Sequence, residues 1–273
     1  MSASNRFAFG ANWAKFLGTL DEERIERARA QLAEMLGTED LQGKSFLDIG
    51  SGSGLSSLVA GKMGATVHSF DYDQDSVACT GELRRRYYPN DAEWTVQQGD
   101  LLDTDYMSTL GTFDIVYSWG VLHHTGNMAL ALENAKNRVK PGGLYFIGIY
   151  NDQGSTSRRW AWVKKTYNQL PEALRFLVLV PSAVVLWGPT VVRDTLRGNP
   201  LSTWHDAKRE RGMSPWHDLK DWVGGYPFEV AAPDAIIMPL LREGFVLRNL
   251  VCRTTGHGCS EYVFEKATEA GDR

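Results

Sequence analysis

Three aspartates lie at or just after the ends of short apolar runs in the first half of this 273-residue sequence. Asp48 lies in "FLDIG", Asp71 in "SFDYD" and Asp100 in "QGD". If these runs are parallel strands, their carboxyl ends share one edge of a sheet, and the three carboxylates come together there. One carboxylate can accept hydrogen bonds from the hydroxyls of a ribose, and another can accept one from an exocyclic amine. The spacing therefore predicts a site for a mononucleoside whose base carries a free amine.

Glycine occupies every second position directly after the first run, at Gly50, Gly52 and Gly54. A glycine run between a strand and a helix lets a ligand approach the main chain closely, which is typical of nucleotide sites. The dinucleotide fingerprint G-x-G-x-x-G needs a third glycine where this sequence has Leu55. Asp71 follows Gly54 by seventeen residues and suits a ribose. The pattern does not suit a pyrophosphate.

These side chains require a scaffold of alternating strands and helices. Five apolar runs separated by helix-like or loop stretches indicate βαβ units and a parallel sheet. The runs are "KSFLDIG", "TVHSFDYD", "EWTVQQGD", "FDIVYSWG" and "GLYFIGIY". Two later runs, "GFVLRNLVC" and "EYVFEK", leave no room for a helix between them and predict an antiparallel hairpin. Residues 21–36 carry an apolar stripe at helical spacing that stops at Gly37.

The predicted fold is α/β, a doubly wound and mostly parallel seven-stranded sheet with an antiparallel closing hairpin and a helical lid insertion. We expect an N-terminal helical cap over 1–43, a ligand-binding core over 44–150, a lid or substrate insertion over 151–241 and the closing hairpin over 242–273. The insertion is too long for one crossover connection, and it is too rich in Trp, Tyr and Pro to be disordered.

Composition limits the partners and the compartment. The formal net charge of −4 gives no broad attraction to nucleic acid, so no nucleic-acid partner is expected. Short basic runs, including Lys164 with Lys165, are expected to be solvated faces. The three cysteines form no C-x-x-C pair, which fits a reducing compartment. The first residues lack a continuous apolar segment, so no signal peptide is indicated and we expect a cytoplasmic protein.

Taken together, the motifs over residues 44–150 resemble the class I S-adenosylmethionine-dependent methyltransferases. The resemblance rests on "DIGSGSG", on the acids after the second and third strands, on "FDIVYSWGVLHHTGNM" and on "VKPGGLYFI". It implies a Rossmann-like methyltransferase sheet, S-adenosyl-L-methionine as the cofactor and methyl transfer as the activity.

The same resemblance assigns cofactor contacts. Asp48 and the glycine backbone would cradle the methionine end, Asp71 would hold the ribose, and Asp100 would read the adenine edge. Backbone carbonyls after the fourth strand would meet the methionine amine, and the N-terminal "FAFGANW" would fold back over the cofactor. The residues implied in this way are Asp48, Gly50, Ser51, Gly52, Gly54, Asp71, Tyr72, Asp100, Leu101, Ser118, Trp119, Asn12 and Trp13.

Absent motifs narrow the class of methyl acceptor. An enzyme that methylates base amino groups needs a proline-rich "PPY"-type turn after the fourth strand. This chain has "SWGVLHH" there. None of the cysteines follows a proline, as the nucleophile of a cytosine C5 enzyme usually does. "VLHHT" is similar to small-molecule O-methyltransferases of the quinone-biosynthesis type, which implies O-methylation of a small-molecule or lipid-linked hydroxyl. A tRNA-modifying methyltransferase and a cofactor-binding regulator without catalysis are the alternatives.

Methyl transfer to a hydroxyl needs alignment and a base that removes the hydroxyl proton. Imidazole suits that role near neutral pH. We expect His124 to be the base and His123 to pack against it or orient it, with Asp218 or Glu229 as orienting carboxylates. No metal is expected, because the histidines that could converge on a cation show no ligand spacing. They are His123, His124, His205 and His217.

The segment "WHDLKDWVGGYPFEVAAPD" combines aromatic rings with acids and a Gly-Gly hinge. Such a mixture can wall off a polar acceptor, or it can be the core of the lid. The candidate acceptor contacts in it are Trp216, His217, Asp218, Tyr226 and Glu229.

Seventeen uncharged residues, 176–192, lie between Arg175 and Arg193. A spanning helix needs about twenty apolar residues, and this run is interrupted by Pro181 and Pro189, so we predict a short, kinked element. It would lie at the inner face of a membrane, as a peripheral contact, or cover a lipophilic acceptor. A homodimer interface and a buried lid helix are the alternatives.

Overall fold

The strands that the structure describes form one seven-stranded sheet. The computed structural model describes residues 17–18, 20–88, 93–199, 203, 215–253 and 258–268, without the side chains at 215, 217 and 218. The strands are β1 (Ser45–Ile49), β2 (Thr66–Asp71), β3 (Trp94–Gln98), β4 (Phe113–Trp119), β5 (Val139–Tyr150), β6 (Phe245–Val251) and β7 (Cys259–Lys266). Their order is β3-β2-β1-β4-β5-β7-β6. β7 pairs antiparallel with β5 and β6, and the other neighbours are parallel.

Helices connect the parallel strands and fill the segment between β5 and β6. They are α1 (Glu22–Leu36), α2 (Leu55–Lys62), α3 (Gln74–Tyr87), α4 (Thr104–Thr109), α5 (Met128–Lys136), α6 (Ser155–Gln169), α7 (Phe176–Leu196), α8 (Pro215–Gly224) and α9 (Pro233–Arg242). The predicted first helix is present. The Asp21 carboxylate caps its start by accepting from the Arg24 N–H at 2.9 Å, and Gly37 ends it with a φ of 72°.

The sheet buries apolar side chains on both faces, as parallel strands do. Successive residues of β1 point to opposite sides. Phe46 joins Ile25 in one core, and Leu47 joins Ala131 and Ile236 in the other. The predicted fold class is therefore confirmed, including the antiparallel closing hairpin.

The carboxyl ends of β1, β2 and β4 lie at one edge of the sheet, because the three strands run parallel. In this topology a ligand binds at that edge, beside the point where the strand order reverses between β1 and β4. The glycine loop follows β1 at this edge, and the histidine pair follows β4.

The four helices α6 to α9 occupy the range predicted as a lid. The first three of them have a small core of their own, separate from the two cores of the sheet. Its buried residues are Tyr167, Leu179, Ala183, Leu219 and Val223. The four-part division of the chain at 43, 150 and 241 stays a prediction.

The apolar run 176–192 was predicted to be short, and this is wrong, because it belongs to the single 21-residue helix α7; the predicted kink stays a prediction. Pro181 and Pro189 lie inside the helix and are exposed. Each proline removes one backbone hydrogen bond, to the carbonyl four residues earlier. Those carbonyls belong to Leu177 and Val185, which are also exposed, so solvent can satisfy them. The range 172–196 is long and apolar enough to cross a membrane by length and composition, and 17% of an apolar 18-residue window within it is buried.

Candidate active site

The loop after β1 is fixed to the end of β2. The backbone N–H groups of Gly50 and Ser51 both donate to the Phe70 carbonyl, at 2.9 and 3.1 Å. Gly50 has a φ of 75°, and a Cβ there would lie 2.5 Å from a methyl group of Val121. Gly54 has a φ of 80°. At Gly50, glycine is therefore required both by the backbone conformation and by the close approach of the turn after β4.

Asp71 stands beside this loop at the end of β2. Its carboxylate accepts hydrogen bonds from the backbone N–H groups of Gly52 and Asp73, each at 2.9 Å. Burial raises the pKa of Asp71, and the two backbone hydrogen bonds oppose that shift. Each carboxylate oxygen can still accept a further hydrogen bond, so the group is held in place and available to a ligand. Tyr72 follows it with 38% of its surface exposed.

Asp48 is the most deeply buried acid of the site, with 2% of its surface exposed. Its carboxylate accepts from the Ser57 hydroxyl at 2.5 Å, and Ser57 in turn contacts Ser69 at 2.6 Å. Burial, with a smaller contribution from the nearby charge of Asp71, raises the pKa of Asp48 to about 7, and the hydrogen bond from Ser57 opposes the shift. Asp48 therefore changes its charge near neutral pH.

A cleft of about 430 Å³ brings most of the predicted residues together. Its volume falls in the usual range for small-molecule sites, roughly 300–1,000 Å³. The predicted residues that line it are Asp48, Gly50, Ser51, Gly52, Asp71, Tyr72, Trp119, His124 and Tyr226. Residues that sequence reasoning did not place there include Ser53, Ser56, Tyr117, Tyr150 and Cys259.

Other predicted cofactor contacts lie outside the lining of the cleft. Asp100 accepts from the Leu102 N–H at 2.9 Å, and the carbonyl of the buried Leu101 accepts from Asn134 at 2.8 Å. Ser118 is fully buried and donates to the Ile49 carbonyl at 3.1 Å. The assignment of Asp100 and Leu101 to an adenine edge stays a prediction. Asn12 and Trp13 lie outside the described residues.

His124 lies on the wall of the cleft, in a short 3₁₀ turn, Leu122–His124. Its Nδ1 lies 2.6 Å from the Pro227 carbonyl oxygen. Because a carbonyl only accepts, this contact assigns the proton of the neutral ring to Nδ1 and leaves Nε2 with a lone pair. Burial, with a smaller contribution from the charge of Lys164, lowers the pKa of His124 to about 4, and the hydrogen bond with the Pro227 carbonyl opposes the shift.

His123 is fully buried, and its two ring nitrogens have no hydrogen-bond partner among the described residues. Its ring lies 4.1 Å from the Tyr150 ring and 4.5 Å from the His124 ring, measured between centroids. Burial holds the pKa of His123 well below its usual value. Of the two candidates, only His124 reaches the cleft, and His123 packs behind it.

Glu229 and Trp216, two of the proposed orienting and lid residues, are not among the residues that line the cleft. The Glu229 carboxylate accepts from the Met128 N–H at 3.0 Å, at the start of α5, and the Glu229 N–H donates to the His123 carbonyl at 2.9 Å. The group that holds the ring of His124 is the Pro227 carbonyl, so Glu229 orients the turn and not the imidazole. Trp216 is 38% exposed and packs near Trp187 at 6.0 Å.

Some predicted residues fall outside what the structure describes. They are His205, and the side chains of His217 and Asp218. Over the described ranges, no three His, Cys, Asp or Glu side chains are placed to hold a metal ion.

Lys164 corrects the prediction that the pair at 164–165 is a solvated face. Lys165 is exposed, but Lys164 is fully buried, and its Nζ donates to the Trp222 carbonyl. The Nζ also lies 4.1 Å from the Trp222 ring centroid and 4.8 Å from that of Phe228. Burial lowers the pKa of Lys164 to about 7. The sequence signal for the burial of Lys164 is its place in the apolar stripe that also includes Trp160 and Tyr167.

A family model described as a methyltransferase domain matches residues 20–179, more than half of the chain. Ribosomal protein L11 methyltransferase of Methylococcus capsulatus is 31% identical over 52% of this chain and 45% of its own length. Ubiquinone biosynthesis O-methyltransferase of Glaesserella parasuis is 30% identical over 42% of this chain and 48% of its own. The chain thus spans about half the length of these curated relatives.

Solved structures with the same fold include magnesium protoporphyrin IX methyltransferase from Synechocystis PCC 6803 with bound SAH. It has a TM-score of 0.54 and 12% identity, over 89% of this chain and 84% of its own. An O-methyltransferase family protein from Burkholderia thailandensis has a TM-score of 0.51 and 12% identity, over 83% and 52%. With the family match and the glycine loop at the carboxyl edge of this sheet, the chain belongs to the methyltransferase domain family, in the class I S-adenosylmethionine-dependent group predicted from its sequence.

Proposed function

We propose that this protein transfers the methyl group of S-adenosylmethionine to a hydroxyl oxygen of a small-molecule acceptor. The observation that carries the proposal is the position of His124, which lines the same cleft as Asp71 and the glycine loop. The Pro227 carbonyl orients its ring so that Nε2 is the proton acceptor. A base and a nucleoside-type site in one cleft are what methylation of a hydroxyl requires.

The residues of the cleft fit this cofactor in charge and in shape. Asp71 would accept hydrogen bonds from the ribose hydroxyls, and the loop at Gly50 and Gly52 would let the methionine end approach the main chain. The carboxylate of Asp48 would attract the positive charge of the methionine amine. When bound, S-adenosylmethionine supplies an electrophilic methyl group attached to a sulfonium.

The role of this protein in the reaction is to align the acceptor and to accept one proton from it. The acceptor oxygen would gain the methyl group as its own proton passes to Nε2 of His124. His124 is neutral at physiological pH because its pKa is lowered to about 4, so it is ready to accept that proton. The ring of Tyr150, which lines the cleft and lies 4.1 Å from the His123 ring, would keep water from reaching His123 on that side.

Two kinds of relative bear on the acceptor atom. The ubiquinone biosynthesis O-methyltransferase from Glaesserella parasuis supports an oxygen acceptor. The ribosomal protein methyltransferase supports a macromolecular acceptor. The net charge of −4 supports the small molecule over RNA.

The test is to incubate the full chain with methyl-labelled S-adenosylmethionine and a cell extract divided into small-molecule, lipid, protein and RNA fractions. We expect label in a small molecule or lipid, as a methyl ether identified by mass spectrometry. Asp71→Ala should abolish labelling at cofactor concentrations that saturate the wild type. Asp105→Ala, an exposed change on α4, should not. Label confined to RNA or protein, or no label with tight cofactor binding, would refute the proposal.

A further inference from the structure

Four buried side chains form a continuous line of hydrogen bonds that ends at the cleft. They are Trp94 at the start of β3, Ser69 in β2, Ser57 in α2 and Asp48 in β1, and none has more than 2% of its surface exposed. Trp94 Nε1 lies 2.8 Å from Ser69 Oγ, and Ser69 Oγ lies 2.6 Å from Ser57 Oγ. Ser57 Oγ lies 2.5 Å from a carboxylate oxygen of Asp48. This serine relay joins one core of the sheet to the wall of the cleft.

The two ends of the relay fix the direction of every hydrogen bond in it. An indole N–H can only donate, so the Ser69 oxygen accepts from Trp94. An ionised carboxylate can only accept, so the Ser57 hydroxyl donates to Asp48. A hydroxyl has one proton, and that of Ser57 is used for Asp48, so Ser69 donates to Ser57. All three hydrogen bonds therefore point toward the carboxylate.

A relay with this direction stabilises a negative charge at its end. Hydrogen bonds that point the same way polarise one another, so each link strengthens the next. The hydrogen bond that Asp48 accepts from Ser57 favours its charged form and opposes burial, which raises the pKa of Asp48 to about 7. Without the relay, burial would keep Asp48 neutral over more of the pH range.

We propose that Ser57, Ser69 and Trp94 are positioning residues for the cofactor, because their relay favours the ionised form of Asp48 and so strengthens the attraction of the methionine amine. Of the four side chains, only Asp48 lines the cleft, so the other three act through it. The inference rests on the proposed function, which assigns the methionine amine to Asp48. It adds that a tryptophan in the core of the sheet influences the charge of the cofactor site.

Other titratable groups face the relay and the cleft, and the test must separate them from Asp48. Burial holds the pKa of His124 at about 4 and that of Cys259 at about 12, so neither changes its charge between pH 6 and pH 8. Asp71 is assigned to the ribose, so a probe that keeps the ribose and lacks the amine reports on it. The full set is Asp71, Asp73, Tyr117, His124, Cys259 and Glu261 around the cleft, Lys164 near the histidines, and His68, Tyr88 and Glu93 beside Ser69 and Trp94.

Two probes separate the amine from the rest of the cofactor. S-adenosylhomocysteine carries the amine and has no methyl group to transfer, and adenosine has the same ribose and adenine without the amine. By calorimetry on the full chain, affinity for S-adenosylhomocysteine should rise by about tenfold from pH 6 to pH 8, and affinity for adenosine should change by less than about twofold. A titrating Asp71 would alter the binding of both probes, and Asp48→Asn should remove the difference between them.

Single variants cut the relay at its two ends. Ser57→Ala removes the link to Asp48 and should move the midpoint of the pH profile for S-adenosylhomocysteine up by about one pH unit. Trp94→Phe keeps an aromatic ring, removes the first donor and should move the midpoint in the same direction by less. Each loss of affinity relative to the wild type should be clear at pH 7 and should shrink by pH 8.5.

Ser45→Ala is the matched control for these changes. The Ser45 hydroxyl donates to the Asp114 carboxylate at 2.6 Å, at the other end of β1. Its removal should leave the midpoint where it is in the wild type. Adenosine binding is measured first in every variant, as a check of folding and of the nucleoside site.

The double variant, Trp94→Phe with Ser57→Ala, separates the relay from a role in packing. Once Ser57 is replaced, Trp94 has no path to Asp48, so the double variant should have the midpoint of Ser57→Ala alone. A tryptophan that acted only through packing would lower affinity by the same factor in both backgrounds and at every pH. That result, or a Ser57→Ala midpoint equal to that of the wild type, would overturn the proposal.

The indole N–H resonance of Trp94 gives a second measurement, which needs no change in the core. In the wild type without ligand it should titrate with a midpoint at about pH 7, the pKa of Asp48, and in Asp48→Asn it should not. A resonance that responds to pH equally in both proteins would overturn the relay and leave the methyl transfer standing. Failure of the labelling experiment refutes the methyl transfer, whatever the resonance does.

Discussion

His124 is oriented by a neutral main-chain carbonyl, and this sets its chemistry. The Pro227 oxygen fixes the tautomer without adding a negative charge that would favour the imidazolium. Burial and the charge of Lys164 lower the pKa of His124 to about 4, so the ring stays neutral across the physiological range. A base with such a low pKa is a weaker proton acceptor, but it is unprotonated and ready to act before the substrate binds.

Lys164 gives the first prediction, which concerns stability and pH. Its pKa falls from 10.5 to about 7 on folding. Between these values the unfolded chain holds a proton that the folded chain has lost, so the free energy of unfolding of the wild type rises with pH. Lys164→Met removes this group. The free energy of unfolding of the wild type should therefore rise relative to that of Lys164→Met by roughly 1 kcal/mol per pH unit above pH 7.

Urea denaturation followed by circular dichroism at pH 7, 8 and 9 measures this difference. Lys165→Met is the matched control, since it removes a neighbouring exposed lysine and should run parallel to the wild type. Parallel curves for Lys164→Met and the wild type would show that Lys164 keeps an ordinary pKa in the folded protein.

Asp48 gives the second prediction, which concerns binding and pH. With a pKa of about 7, its carboxylate ionises between pH 6 and pH 8. If the charge attracts the methionine amine, wild-type affinity for S-adenosylmethionine should rise by about tenfold over that range, one proton being linked to binding. Asp48→Asn keeps an oxygen for the Ser57 hydroxyl but has no charge, so its affinity should be lower at pH 8 and flat.

Calorimetric titration at pH 6, 7 and 8 checks this, with Asp105→Asn as a control at an exposed site on α4. A wild-type affinity that does not change with pH, or an Asp48→Asn affinity that follows the wild type, is incompatible with an ionising Asp48 in the methionine site.

The element with the most exposed apolar surface is α7. Val184 and Val185 are 67% and 65% exposed, so the alternative of a buried lid helix is wrong for this helix. Leu179 and Ala183 on the other side are buried against neighbouring helices, which places the helix along the surface. Arg197, directly after the helix, is exposed and could contact anionic head groups.

We expect α7 to bind membranes at their surface. The wild type should float with liposomes, more strongly with anionic than with neutral lipid, because apolar burial and basic residues act together. The double change Val184→Glu and Val185→Glu should abolish flotation. Met238→Glu, at an exposed apolar position on α9, should not.

Absence of the wild type from both floated fractions would remove the membrane interpretation. A dimer by light scattering that the Val184→Glu and Val185→Glu pair converts to a monomer would assign the same face to a second copy of this chain.

The sequence predicted the strands and the glycine loop better than it predicted the contacts of the site, because strands and loops follow local patterns and those contacts do not. The strands, the closing hairpin and the glycine loop follow local patterns, and a loop such as Gly50–Gly54 carries its signal in five consecutive residues. The length of α7 was underestimated because the cost of a proline inside a helix depends on its exposure, which is a tertiary property. The contact between the rings of Tyr150 and Phe228 joins residues more than seventy positions apart, and no local pattern records that contact.

At the scale of the whole molecule, the segment between β5 and β6 links three features. It supplies Pro227 to His124, Trp222 to the ring of Tyr150 and α7 to the exposed apolar face. The helices α6, α7 and α8 contact one another around their own core. The sheet therefore provides the nucleoside-type site, which is common to the family fold, and we expect this segment to carry what is particular to the acceptor.

The central claim is that His124 removes the acceptor proton, and the rate of methyl transfer tests it most directly. With the acceptor found by labelling, and with cofactor and acceptor saturating, His124→Ala should lower kcat by roughly 10² or more. Its affinity for S-adenosylhomocysteine should stay within about twofold of wild type, since the ribose contact at Asp71 is untouched. A His124→Ala variant that keeps near-wild-type kcat from pH 6 to pH 9 would contradict the account.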